Sequence, residues 1–106
     1  MSTQMIEIKP NPYPTPSQPA VFDPKAAVCN AGDTITWHNG DTRAHWPAPS
    51  ASNPTGWFAY QIPAGATSDT LAPGPNTTTP NQPYVLSYVC ANHPGETGQI
   101  TVNPVL

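Results

Sequence analysis

The chain has 106 residues, 8% of them charged, with six acids against three bases, a net charge of −3 and 16 prolines. That length suits one compact domain and is too short for two. So few bases leave no basic patch for nucleic acid, and so little charge leaves no field to steer a charged partner. Proline at this density nearly excludes long helices and fits loops, turns and sandwich rims, and no apolar run approaches the ~20 residues that span a bilayer.

Residues 4–8, Gln-Met-Ile-Glu-Ile, alternate as a short first strand. Residues 9–19 place proline at nearly every second position, which predicts an extended, polyproline-like, exposed connector with a weaker reading as a docking strip. Ala26-Ala27-Val28-Cys29 reads as a strand and Asn30-Ala31-Gly32-Asp33 as a turn. Thr34–Asn39 alternates, with Ile35 and Trp37 on one face, and Gly40-Asp41 turns the chain. Residues 46–56 read as a long irregular loop, 57–62 as a short strand, 67–71 as a weak one and 72–83 as a loop or insertion. Tyr84–Cys90 is the strongest strand signal, and Gly98–Val102 closes the chain. Seven or eight short strands separated by turns predict an all-β sandwich, one domain over 1–106 with a Pro-rich segment at 9–19.

The chemistry is concentrated in Cys90-Ala91-Asn92-His93-Pro94-Gly95-Glu96. A thiolate and an imidazole three residues apart in a tight loop can grip one metal ion, and His45 follows the strand 34–39 and its turn. Cys90, His93 and His45 together form the His₂Cys set used by type 1 copper centres. The two cysteines could instead join as a Cys29–Cys90 disulfide. That bond would destroy the site, and the favoured reading of Cys29 is a small buried thiol. His38 alternates with Trp37 and reads as a surface histidine rather than a ligand.

The chain resembles the cupredoxins, the small blue copper fold of plastocyanin and amicyanin, over roughly residues 21–103. The resemblance rests on Gly32-Asp33-Thr34-Ile35-Thr36-Trp37, on Asn39 followed by Asp41 and His45, on Tyr88-Val89-Cys90 with His93-Pro94-Gly95, and on Thr97–Val102. It implies an eight-stranded Greek-key sandwich with His45, Cys90 and His93 as equatorial copper ligands. It also implies that Asn39 and nearby backbone groups tie the two ligand loops together. The departure is Glu96, which stands where the short-loop pattern has methionine; Met1 and Met5 are both N-terminal and cannot substitute. The bland reading of Glu96 is a solvated loop acid.

A carboxylate is a hard donor that favours Cu(II) over Cu(I). One negative charge about 2.2 Å from the metal at an effective dielectric of about 20 is worth roughly 7 kcal/mol, on the order of 0.3 V as an upper bound. The expectation is a low-potential copper electron carrier, not an enzyme, nearer a green or red centre than a blue one. Two rival readings are a copper protein with an exchangeable site for small molecules, redox catalysis or copper handling, and a metal-free or zinc-bearing binding module. Zinc is also expected as an adventitious occupant. Trp46, Pro47, His93 and Pro94 are expected to form an apolar face for a redox partner protein, with the chain a monomer. Arg43 reads first as a solvated turn charge, with pairing to Asp41 or Glu96 as the alternative. Met1-Ser2-Thr3-Gln4 has neither the basic nor the apolar region of a secretion signal. The class of site leads to the expectation of a mature exported domain, periplasmic or otherwise extracytoplasmic, with Met1 foreign to it.

Overall fold

The computed structural model describes residues 3–50, 57 and 60–105. In chain order its strands are β1 (Thr3–Thr15), β2 (Gln18–Asp23), β3 (Ala26–Asn30), β4 (Thr34–Asn39), β5 (Pro47–Pro49), β6 (Tyr84–Cys90) and β7 (His93–Asn103). They form two sheets, β2-β1-β4 and β3-β7-β6-β5. The β1–β4 and β3–β7 pairs are parallel and the rest antiparallel. This is the expected all-β sandwich. No helix among the described residues is long and apolar enough to cross a membrane.

Alternation along each strand builds the core. Ile6 and Ile8, Ala27 and Cys29, Ile35 and Trp37, Leu86 and Tyr88, and Ile100 and Val102 all turn into the space between the sheets and are buried. Trp37, fully buried, sits edge-on to Tyr88 with ring centroids 5.4 Å apart. Trp57 packs on both rings and donates through Nε1 to the Pro47 carbonyl. Opposite Tyr88 stands Gly98, where a Cβ would collide with the tyrosine ring. Gly32 turns β3 into β4 at φ 95°, while the Asp33 carboxylate accepts from the Asn30 amide.

Three expectations are revised. Residues 9–19 are extended and mostly exposed as expected, but they are a hairpin rather than a connector: β1 runs on to Thr15 and turns into β2. Proline is tolerated because Pro10 faces Ala20, whose amide points away to Glu96. The pair therefore exchanges no ladder bonds and needs no N–H from Pro10, and Pro12 and Pro14 fall where the register shifts between Pro10 and Thr15, outside the paired positions. The segment at 67–71 is a row of isolated bridges rather than a strand: Leu71 exchanges backbone bonds with Ile35, and Ser68 donates to the Trp37 carbonyl. In the segment predicted as 57–62, Phe58 and Ala59 lie outside the described residues, and Ile62 forms a bridge with His45. The last strand begins at His93, inside the predicted ligand loop, rather than at Gly98.

Candidate metal centre

The β6–β7 hairpin holds three of the four candidate ligands. Ala91 and Asn92 make the turn, so Cys90 and His93 face each other across it. The register then jumps: Val89 pairs with Thr97, leaving Pro94, Gly95 and Glu96 as extra residues on β7. Such a bulge re-aims side chains, and here it turns Glu96 inward, 1% exposed. The reading of Glu96 as a solvated acid is thereby excluded. His45 arrives from the loop after β4, pinned by reciprocal backbone bonds with Ile62. Trp46 links the two ligand segments: its amide donates to Cys90 Sγ at 3.3 Å, and its carbonyl accepts from the Ala91 amide at 2.8 Å.

The donor atoms of His45, Cys90, His93 and Glu96 all lie within 4.8 Å of one another. Glu96 Oε1 is 2.9 Å from His45 Nδ1 and 3.3 Å from His93 Nδ1. Cys90 Sγ is 3.8 Å from His45 Nδ1 and 3.6 Å from His93 Nδ1. A tetrahedral ion with bonds of 2.0–2.3 Å has donor–donor edges of about 3.3–3.8 Å. The cluster is close to that size, with the Glu96–His45 edge contracted by a direct hydrogen bond. Two nitrogens, one sulfur and one oxygen at this spacing fit a single transition-metal ion.

Behind the donors is a polar frame. His45 Nε2 is 2.7 Å from Asp41 Oδ2, and both residues are buried. Arg43 Nη1 reaches the same Asp41 oxygen at 3.5 Å with a side chain 54% exposed, so it stays largely solvated while touching Asp41 rather than Glu96. Burial opposes the His45 charge, but Cys90, Asp41 and Glu96 together raise its pKa to about 9. Burial likewise works to raise the Asp41 carboxyl; bonds from His45 and the Thr42 backbone, with Arg43 nearby, outweigh it and hold the pKa low. A metal at Nδ1 would leave Nε2–H on Asp41, the carboxylate–histidine pairing that fixes tautomer and ring orientation.

Asn39 is fully buried. Its amide donates to the Arg43 and Ile62 carbonyls and its oxygen accepts from the Asp41 amide. It therefore braces the His45 loop against the Ile62 segment. Of the tie expected from Asn39 and nearby backbone groups, the link to the Cys90 loop is made by the Trp46 backbone and by Asn92, whose side chain donates to the Ala44 carbonyl at 3.5 Å.

Of the expected docking residues, Trp46 and His93 are half-buried and Pro94 is exposed. Pro47 is a correction: it is buried because β5 pairs it directly with Cys90, so it presents no surface. Cys29 is a free, buried thiol in β3, its pKa raised by burial and then by Asp33. His38 bonds Thr67 Oγ1 at 3.0 Å, away from the cluster. Sequence reasoning missed Asp41 as the partner of His45, although its place four residues earlier was a usable signal. It also missed the Ala20 amide, which donates to Glu96 Oε2 at 2.7 Å and leaves no mark in a side-chain pattern.

No family model and no curated protein sequence matches the chain. Solved structures do. A purple cupredoxin from Nitrosopumilus maritimus superimposes with a TM-score of 0.72 at 20% identity, over 93% of this chain and 98% of that one. Amicyanin from Paracoccus versutus gives 0.64 at 15% identity, over 93% and 79%. A Cu-containing nitrite reductase from Thermus scotoductus gives 0.68 at 17% identity, over 96% of this chain but only 22% of that chain. At these identities the likeness is one of fold: the chain has the cupredoxin fold, with a histidine–cysteine–histidine–glutamate cluster at one end of the sandwich.

Proposed function

We propose that this cupredoxin-fold chain binds one copper ion through His45, Cys90, His93 and Glu96 and serves as a one-electron carrier of low reduction potential. The observation that carries the reading is the close approach of four donors of the right softness, with edges near those of a tetrahedral site. Copper there would supply a Cu(II)/Cu(I) couple. The residues supply a frame that need not rearrange between the two states. His45 is locked by Asp41 and by the Ile62 bridge, Cys90 by the Trp46 amide, and Glu96 by the Ala20 amide.

The Glu96 carboxylate favours the oxidised ion, and its charge sets the direction of the potential: lower than with a thioether, by on the order of 0.3 V at most. The half-buried His93, with Trp46 and Pro94 near it, is the proposed contact for a redox partner protein. A single domain, a monomeric state and an extracytoplasmic location belong to the same proposal.

The exchangeable-site reading requires Glu96 to leave, and its second oxygen is tied to Ala20. The zinc reading draws on the same donors, which accept Zn(II) as well. The deciding experiment is a titration of metal-free protein with Cu(II) and, separately, Zn(II), followed optically and by EPR beside Glu96→Met. A strong band near ~400 nm with a weak one near ~600 nm in wild type, and a blue Glu96→Met, support the proposal. Equal blue colour in both removes Glu96 from the metal. Absence of any thiolate-to-copper band sinks the copper function.

A further inference from the structure

The cluster is closed on one side by a segment far from it in sequence. Strand β2 is an edge strand in the order β2-β1-β4. The Ala20 amide points out of the sheet edge, away from Pro10, and an unpaired N–H there needs an acceptor. It finds Glu96 Oε2 at 2.7 Å. Three residues earlier, at the hairpin turn, the Ser17 carbonyl accepts from the Gly95 amide at 2.8 Å. Segment 17–20 is thus bonded to two consecutive residues of the β7 bulge. The fit is close: a Cβ on Gly95 would lie 2.6 Å from the Ser17 carbonyl oxygen, so only glycine admits the hairpin.

We propose that the proline-rich β1–β2 hairpin is a positioning device for the fourth donor: the Ala20 amide holds Glu96 Oε2 so that Oε1 alone is presented to the metal. The inference rests on the reading of Glu96 as a ligand. A buried carboxylate with one oxygen unpaired carries the desolvation penalty of that oxygen. Without the Ala20 amide, Glu96 would recover that by turning its second oxygen toward the metal or by leaving the site. With the amide in place, one oxygen is satisfied and the other stays directed at the histidine nitrogens. The prolines at 10, 12, 14, 16 and 19 have fixed φ, so the hairpin meets β7 already stiff. This gives the proline-rich stretch a role in shaping the metal site across the two sheets, with Ser17 and Gly95 as the latch that seats it.

The test replaces Ala20 by lactic acid in the full chain, which turns the amide N–H into an ester oxygen and deletes the donor with little change of shape. Ala20→Gly, which keeps the amide, is the control. Gly95→Ala approaches the same latch from the other side. Cu(II) dissociation constants and EPR spectra are read for each, alone and combined with Glu96→Ala, and circular dichroism of the metal-free forms checks the fold. The expected result is a weakening of Cu(II) binding by about tenfold to a hundredfold in the ester variant. Its spectrum should differ from wild type, and no further loss should follow when Glu96→Ala is added. Gly95→Ala should change the spectrum in the same direction and Ala20→Gly should not. If the ester variant keeps wild-type affinity and spectrum while Glu96→Ala alters both, Glu96 is a ligand and the positioning role is wrong. Fully additive losses from the ester and from Glu96→Ala also overturn it. If Glu96→Ala leaves the copper spectrum unchanged, the ligand reading fails and the positioning role goes with it.

Discussion

His45 and His93 present the same atom, Nδ1, to the same cluster, yet they stand in opposite surroundings. The His45 side chain is fully buried, bonded on both ring nitrogens to carboxylates and braced by Ile62. The His93 side chain is 19% exposed, follows a two-residue turn and precedes the exposed Pro94. Their rings lie 5.0 Å apart, centroid to centroid. In the proposed electron carrier the two would divide the work: His45 would be the ligand that cannot move, and His93 the one whose ring edge reaches a partner.

The sharpest way to break this comparison is to remove each ring. His93→Gly should lose the wild-type copper spectrum and regain a thiolate-to-copper band on adding free imidazole, because its place is open to solvent. His45→Gly should lose the band and not recover it, because no path reaches a fully buried ring. Equal rescue of both, measured optically, would show that the two positions are alike.

A smaller difference is expected with pH. His45 in the metal-free protein holds its proton up to about 9, above its usual 6.5, and a metal must displace that proton. Affinity for Cu(II) should therefore rise with pH below that value, and the His45 share of the rise, about tenfold per pH unit, should level off above it. Because the folded pKa is raised, the same group stabilises the metal-free fold. That stabilisation is fully present below pH 6.5 and is lost as pH rises through about 9. Metal titrations and melts of the metal-free protein across this window check both signs; a flat affinity profile would mean that His45 binds no proton there.

Asp41→Asn tests the surroundings of His45 without removing the ring. The ring loses its carboxylate partner, and copper affinity should fall by about tenfold to a hundredfold. The smallest effect is expected at the surface end of the same chain of contacts. Arg43 touches Asp41 at 3.5 Å with a side chain 54% exposed, and exposed pairs are worth about 0–1 kcal/mol. Arg43→Ala should change affinity by less than about fivefold. A loss as large as that of Asp41→Asn would show that the guanidinium, not the carboxylate, fixes the ring.

Much of the fold was legible because alternation has a period of two. Thr34–Asn39 and Tyr84–Cys90 appear as strands where the pattern places them. The hairpin at 9–19 was not legible, because proline removes the amide that a strand ladder uses; it is possible because β4 pairs β1 only as far as Ile8, Pro10 sits at a position that needs no N–H, and the register shifts beyond it. The extra residues Pro94–Glu96 in β7 were hidden for a related reason. A bulge is defined by its partner strand, and the partner is Val89-Cys90.

Residue identity alone determined the donor set: a thiol and an imidazole on either side of a two-residue turn, a second imidazole after a strand, and an acid in the axial position of the short-loop pattern. Local spacing is enough for that, since Cys90, His93 and Glu96 are fixed by one hairpin. Tertiary structure alone decided what Cys90 and Glu96 lean on. The Trp46 amide on Cys90 and the Ala20 amide on Glu96 are contacts between segments 44 and 76 residues apart, whereas Asp41 behind His45 is local, four residues away in sequence. Both long-range contacts are made by backbone N–H groups, which every residue but proline carries, so side-chain pattern cannot mark them: the β5–β6 pairing brings Trp46 to Cys90, and the packing of the two sheets brings Ala20 to Glu96.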